Sequence, residues 1–148
     1  MSDIGHRVVA AARGWIGTPY RHQASCKGAG TDCLGLLRGV WREVRGEEPE
    51  VVPPYSMDWS EPARDEVLWR AAARHLKVKA PQDEAPGDVL LFRMRDGTVA
   101  KHLGLAAEIG ARASFVHAYS GHAVLESPLS LPWRRRIAAR FTFPEESR

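Results

Sequence analysis

Two kinds of side chain in this sequence could do covalent chemistry near neutral pH: two cysteines, Cys26 and Cys33, and six histidines. Cys33 stands where a nucleophile is best served. Residues 17 to 32, rich in glycine and small polar side chains, deliver it to the start of a segment whose apolar positions recur at helical spacing: Cys33, Leu36, Leu37, Val40, Trp41 and Val44. The unpaired N–H groups and the dipole at a helix start favour an anion, and the thiolate is the reactive form of cysteine. The dipole alone falls short. Lowering a thiol pKa from about 8.5 to about 5 takes roughly 5 kcal/mol, and a helix terminus supplies at most about 2. A cationic partner has to provide the rest, and an imidazolium is the natural candidate.

His102 lies 69 residues downstream in Lys101-His102-Leu103-Gly104-Leu105, and His117 follows 15 residues later in Ser114-Phe115-Val116-His117. Both segments read as strands, close enough in sequence to pair. Alternation puts His102, Gly104 and Ala106 on one face, where the small neighbours leave room for a helix terminus and a substrate. A nucleophile on a helix start, a base on one strand and an orienting group on the next form the Cys-His-X arrangement of papain-like enzymes. Taken singly, a cysteine on an apolar helix face is ordinarily core, and a strand histidine is ordinarily structural. The three together in this order point to catalysis. His6, His22, His75 and His122 read as surface or structural residues, and Cys26 as a bystander. Cys26 and Cys33 lack the spacing of a metal knuckle, so no metal or other cofactor is expected.

The elements that must position these residues follow from periodicity and punctuation. Ile4, Val8, Ala11, Ala12 and Trp15 mark a first helix behind Ser2 or Asp3, closed by Gly14 and Gly17. The second helix begins at Cys33, capped by Thr31 or Asp32, with Gly46 as its C′ residue. Residues 47 to 60 hold three prolines and read as a surface excursion. A third helix follows Ser60, with Val67, Leu68, Ala71, Ala72 and Leu76 facing inward. After Ala80 the chain turns extended: a turn at residues 85 to 88, then strands over 89–92, 101–107, 114–119, 123–126 and 137–143. Helices first and an antiparallel sheet second predict an α+β fold, N-terminal helices on a C-terminal sheet.

At 148 residues this is one domain, 1–148, with a core large enough to need no staple. A composition 44% apolar and 26% charged excludes collagen, coiled coil and disorder, and no apolar run approaches a membrane span. The formal net charge of +3 suits an anionic polymer or surface without demanding nucleic acid, and neither nucleic-acid binding nor membrane insertion is expected. The opening residues have no basic or long apolar stretch of a signal peptide, which leads us to expect synthesis and folding in a reducing cytoplasm.

Five motifs in order resemble those of NlpC-type cell-wall cysteine peptidases: Gly17-Thr18-Pro19-Tyr20, Gly30-Thr31-Asp32-Cys33-Leu34-Gly35-Leu36, Pro86-Gly87-Asp88-Val89-Leu90-Leu91-Phe92, Lys101-His102-Leu103-Gly104-Leu105 and Val116-His117-Ala118. They span nearly the whole chain. The stretch from Gly14 to Ser25 is similar in particular to the phage-tail and gene-transfer-agent branch. The resemblance implies a papain-like fold and hydrolysis of amide bonds in peptidoglycan stem peptides, typically between D-glutamate and diaminopimelate. It implies Cys33 as nucleophile, His102 as base and His117 as orienting residue. Tyr20 would line the site and join the Cys33 N–H in holding the oxyanion. Asp32 would recognise a free substrate amine, or simply cap the helix. Arg21-His22-Gln23 and Leu34 replace the double glycine and the serine that many relatives carry, which bears on subsites rather than on the chemistry.

Two other readings share these features: an N-acetylmuramoyl-alanine amidase of the same fold, and a structural tail component that keeps the fold only for docking. The phage-tail resemblance implies tail-tip or hub proteins as partners, assembly into a virion and action in the periplasm or cell wall. The expected docking surfaces are the 47–60 excursion and Trp133-Arg134-Arg135-Arg136, because arginine and tryptophan are frequent interface anchors.

Overall fold

The computed structural model describes residues 3–55, 66–95 and 97–145. Helix α1 (Asp3–Arg13) and helix α2 (Cys33–Val44) form where the apolar periodicity is strongest, and both bury that stripe. The first helix ends two residues before Trp15, whose ring is nonetheless buried and packs against Gly39 of α2. A Cβ at Gly39 would stand 2.0 Å from that ring, so a glycine is what lets the two helices cross closely. Gly46, at φ +97°, closes α2 as the C′ residue in the left-handed conformation that glycine adopts at little cost. Helix α3 (Val67–His75) buries Leu68 and Ala72 as the pattern predicts. The stretch expected to open it, together with the last five residues of the excursion, lies outside the described residues.

The loop before Cys33 is more ordered than its composition implies. Strands β1 (Ser25–Cys26) and β2 (Gly30–Thr31) pair in a small antiparallel hairpin within it. Six further strands, β3 (Lys77–Lys79), β4 (Val89–Phe92), β5 (His102–Ala106), β6 (Ser114–His117), β7 (Leu125–Pro128) and β8 (Ile137–Thr142), make one antiparallel sheet in the order β3-β8-β4-β5-β6-β7. Periodicity missed β3, a three-residue edge strand with no apolar pattern, and placed β7 two residues early. It also missed helix α4 (Leu131–Arg135), a single turn with Pro132 at its start.

The sheet has a core on each face. Val89, Leu91, Leu103 and Leu105 join the helices in the larger one, while Leu90, Phe92, Ala106 and Phe115 form a smaller one under Leu129 and Trp133. Alternation along β4 and β5 produces this division. A buried ion pair ties the strands together: Arg140 of β8 donates to Asp88, at the entry to β4, over 2.8 Å, with both side chains at most 2% exposed. Lys79 of β3 and the Ala85 N–H complete the shell around that carboxylate at 3.2 and 3.0 Å. No described helix is long and apolar enough to cross a membrane.

Candidate active site

Cys33 is the first residue of α2, and the sequence before it fixes the entry. Asp32 is the cap: its Oδ1 accepts from Gly35 N–H at 2.7 Å in the usual capping geometry. A Cβ at Gly35 would meet the Ala24 carbonyl at 1.9 Å, so the loop can lie against the first turn only because that residue is glycine. Cys33 is 9% exposed, and its Sγ lies 4.0 Å from the Lys101 carbonyl oxygen, directly beside β5. The N–H groups of Leu103, Leu34 and Cys33 itself also interact with the sulfur.

The two predicted histidines meet. His102 Nε2 and His117 Nδ1 are 2.9 Å apart, and His117 Nε2 is 2.9 Å from Ser127 Oγ on β7. For His102 to act as a base its Nδ1 must be bare and its Nε2 protonated. The chain then reads in one direction: His102 Nε2–H donates to His117 Nδ1, and His117 Nε2–H donates to Ser127. Ser127 is a residue that sequence reasoning did not single out; only the β6–β7 register, which sets Phe115 opposite Ser127, brings it near. The Cys33 thiol is directed at the Lys101 carbonyl rather than at an imidazole nitrogen.

The electrostatics at rest differ from the expected ion pair. Burial pushes the Cys33 thiol up to about 12, and the Asp32 charge adds to this against the opposing backbone N–H groups. Burial lowers His102 to about 3, assisted by His117, and lowers His117 to about 4, assisted by His122. The free site therefore holds a neutral thiol and neutral imidazoles. The helix terminus is present, but desolvation in a closed site outweighs it.

Asp32 is 2% exposed, and its oxygens are engaged within the protein. Besides the cap, Oδ2 accepts from the Gln23 N–H at 2.7 Å and from the Tyr55 hydroxyl. The His22 ring stands 3.7 Å from the same oxygen and 2.9 Å from the Tyr55 carbonyl. Tyr20 is half-buried and bridges to Thr31 beside the site; burial, then the Cys33 and Asp32 charges, push its hydroxyl up to about 12. Tyr55 was missed because it lies in the excursion, which was read as surface. Its described part, residues 47–55, lies at the surface and reaches the cap of α2 through Tyr55.

The space beside Gly104 is not open to a helix terminus: a Cβ there would stand 2.7 Å from the Phe115 ring, and both Phe115 and Phe92 line that face. The Trp133–Arg136 stretch, expected as a docking surface, is partly exposed and in part engaged within the fold. Trp133 packs into the aromatic cluster around the histidines, Arg134 pairs with Glu84 at 2.6 Å, and Arg136 lies over the Trp133 ring, which leaves Arg135 as the exposed member. Of the bystanders, Cys26 is exposed and unpaired with Cys33, and His75 is paired with Glu50.

Helices packed on an antiparallel sheet in this way are the fold of NlpC/P60 domains. The NlpC/p60 domain of the peptidoglycan hydrolase SagA superposes with a TM-score of 0.62 at 22% identity, covering 94% of this chain and 98% of that one. An NlpC/P60 family protein from Bacillus cereus gives 0.64 at 16% identity, over 94% of this chain and 40% of that one. In sequence, the chain is 30% identical over 146 residues to the Gamma-DL-glutamyl hydrolase of Bacillus subtilis, covering 95% of this chain. It spans 31% of that relative's length. No protein-family model matches the chain.

Proposed function

We propose that this domain is a cysteine peptidase that hydrolyses an amide bond of peptidoglycan stem peptides, the one between D-glutamate and diaminopimelate. The observation that carries this reading is the hydrogen-bonded chain His102–His117–Ser127 on the sheet, with a thiol at a helix start against the backbone of the residue before His102. His102 Nδ1 takes the Cys33 proton as sulfur attacks the carbonyl, and His117 holds the imidazolium so formed through Nε2–H. The oxyanion is stabilised by the Cys33 N–H and the Tyr20 hydroxyl. His102 then protonates the leaving amine, leaving a thioester on Cys33. Water, deprotonated by His102, attacks the thioester and restores the thiol. A neutral pair suits this sequence, since the proton moves only when the substrate's carbonyl is in place. The Bacillus subtilis relative's name, a glutamyl hydrolase, supports cleavage beside glutamate.

Asp32 serves here as cap, with any contact to a substrate amine requiring Tyr55 to yield the carboxylate. Resemblance over Gly14 to Ser25 supports a phage-like tail as carrier, with tail-tip or hub proteins as partners and the cell wall as the place of action. Mass spectrometry of the products from muramoyl stem peptides tests the bond: we expect a new diaminopimelate amine, whereas release of the whole peptide from the sugar would mean the amidase. Recovery of the protein with purified particles tests the carrier, and its absence from them would contradict it.

A further inference from the structure

The β5–β6 ladder closes at only two positions, Leu105 with Val116 and Ala106 with Phe115. It stops before His102 and His117, so sheet hydrogen bonds between these strands do not set the relation of the two imidazoles. What surrounds them is a cluster of rings. Trp133 is its hub, with centroid distances of 5.2 Å to Phe92, 5.2 Å to Phe115, 5.3 Å to His117, 5.7 Å to His102 and 6.0 Å to Tyr119. Its ring is edge-on to His117, at 81°, and tilted by 36° over His102, so a single side chain bears on both imidazoles from different directions. Phe92 packs against His102 at 5.6 Å and Phe115 against His117 at 4.2 Å.

The helix that carries this hub is lightly held. Helix α4 has no fully buried residue and no side-chain cap. Its side-chain ties to the rest of the fold run through Trp133 and through Arg134, which bonds Glu84 at 2.6 Å and the Gly110 carbonyl at 3.3 Å. Arg136 lies 5.5 Å over the indole, a further constraint on its orientation. The titratable groups at the cluster are His102, His117, Tyr119 and His122, with Cys33 across β5.

We infer that Trp133 is a positioning residue: from α4 it fixes the rings of His102 and His117 so that the Nε2–Nδ1 hydrogen bond forms and His102 Nδ1 is left for the thiol. The inference rests on the proposed peptidase reading for its activity arm but not for its structural arm. Misplacement of a catalytic group by about 1 Å can cost on the order of 100-fold in rate, which makes such a support consequential.

The test uses Trp133→Leu, Trp133→Phe and Arg134→Ala, the last loosening α4 without touching the ring cluster. Long-range 1H–15N spectra of the imidazole nitrogens are read first. Wild type should show His102 with Nε2 protonated and Nδ1 bare; Trp133→Leu should give averaged tautomer signals, Trp133→Phe the wild-type pattern, and Arg134→Ala intermediate averaging. On stem peptides, kcat should fall about 10- to 100-fold in Trp133→Leu with KM within about twofold, and Trp133→Phe should recover to within about fivefold of wild type. Unchanged tautomer signals in Trp133→Leu, or in Arg134→Ala should the leucine variant not fold, would overturn the inference. A wild-type protein that cleaves no stem peptide would refute the peptidase reading and leave the tautomer result standing on its own.

Discussion

At the scale of single residues, burial governs this site more than the helix dipole does. A thiol pushed up to about 12 is almost entirely protonated at neutral pH. We therefore expect iodoacetamide to alkylate exposed Cys26 faster than Cys33 in the free protein, with mass spectrometry of the two peptides as the readout. Faster labelling of Cys33 would show a preformed thiolate. The histidines make a second prediction. Both are held below their ordinary 6.5, at about 3 and about 4, so between those values the unfolded chain binds more protons than the folded one. Their contribution to stability is complete above pH 6.5 and is lost as the pH falls through that window, at up to about 1.4 kcal/mol per pH unit for each. Chemical denaturation between pH 7.5 and 5 should show this slope, and the His102→Asn, His117→Asn double variant should lack it. An equal slope in that variant would contradict the assigned burial.

At the scale of elements, what was legible and what was not divides along clear physical lines. Amphipathic periodicity located α1 and α2, and the capping position of Asp32 ahead of Cys33 emerged from local chemistry that needs no tertiary contact. The strands bearing His102 and His117 were legible because a buried strand leaves an apolar run. Edge strand β3 and single-turn α4 left no such pattern. Their positions depend on pairing and on ring packing, which are long-range. For the same reason Trp133 read as a surface anchor and Ser127 did not register. Arg140 is a further case: sequence places a charged residue in the last strand, and only the sheet order shows it buried against Asp88. Removing Arg140 leaves the buried Asp88 carboxylate with Lys79 and the Ala85 N–H alone. Arg140→Met should destabilise the domain by about 3–5 kcal/mol in urea denaturation, far more than loss of an exposed pair such as Arg74–Glu50. A change under about 1 kcal/mol would mean that Asp88 finds sufficient compensation from Lys79 and Ala85.

At the scale of the whole molecule, the two faces of the sheet have separate duties. The helical face buries most of the core and delivers Cys33; the opposite face holds the imidazoles in a ring cluster and is closed by α4. The proposed chemistry arises where the two meet, at β5, with the thiol against the backbone of Lys101 and Leu103 and the base on the adjacent residue. The central claim is that this junction is a peptidase centre with Cys33 as nucleophile. It is tested most directly by the rate of stem-peptide cleavage in wild type, Cys33→Ala and Cys26→Ser, followed by mass spectrometry. The account predicts cleavage by wild type and Cys26→Ser at similar rates and none by Cys33→Ala; cleavage by a folded Cys33→Ala protein at the wild-type rate would contradict it.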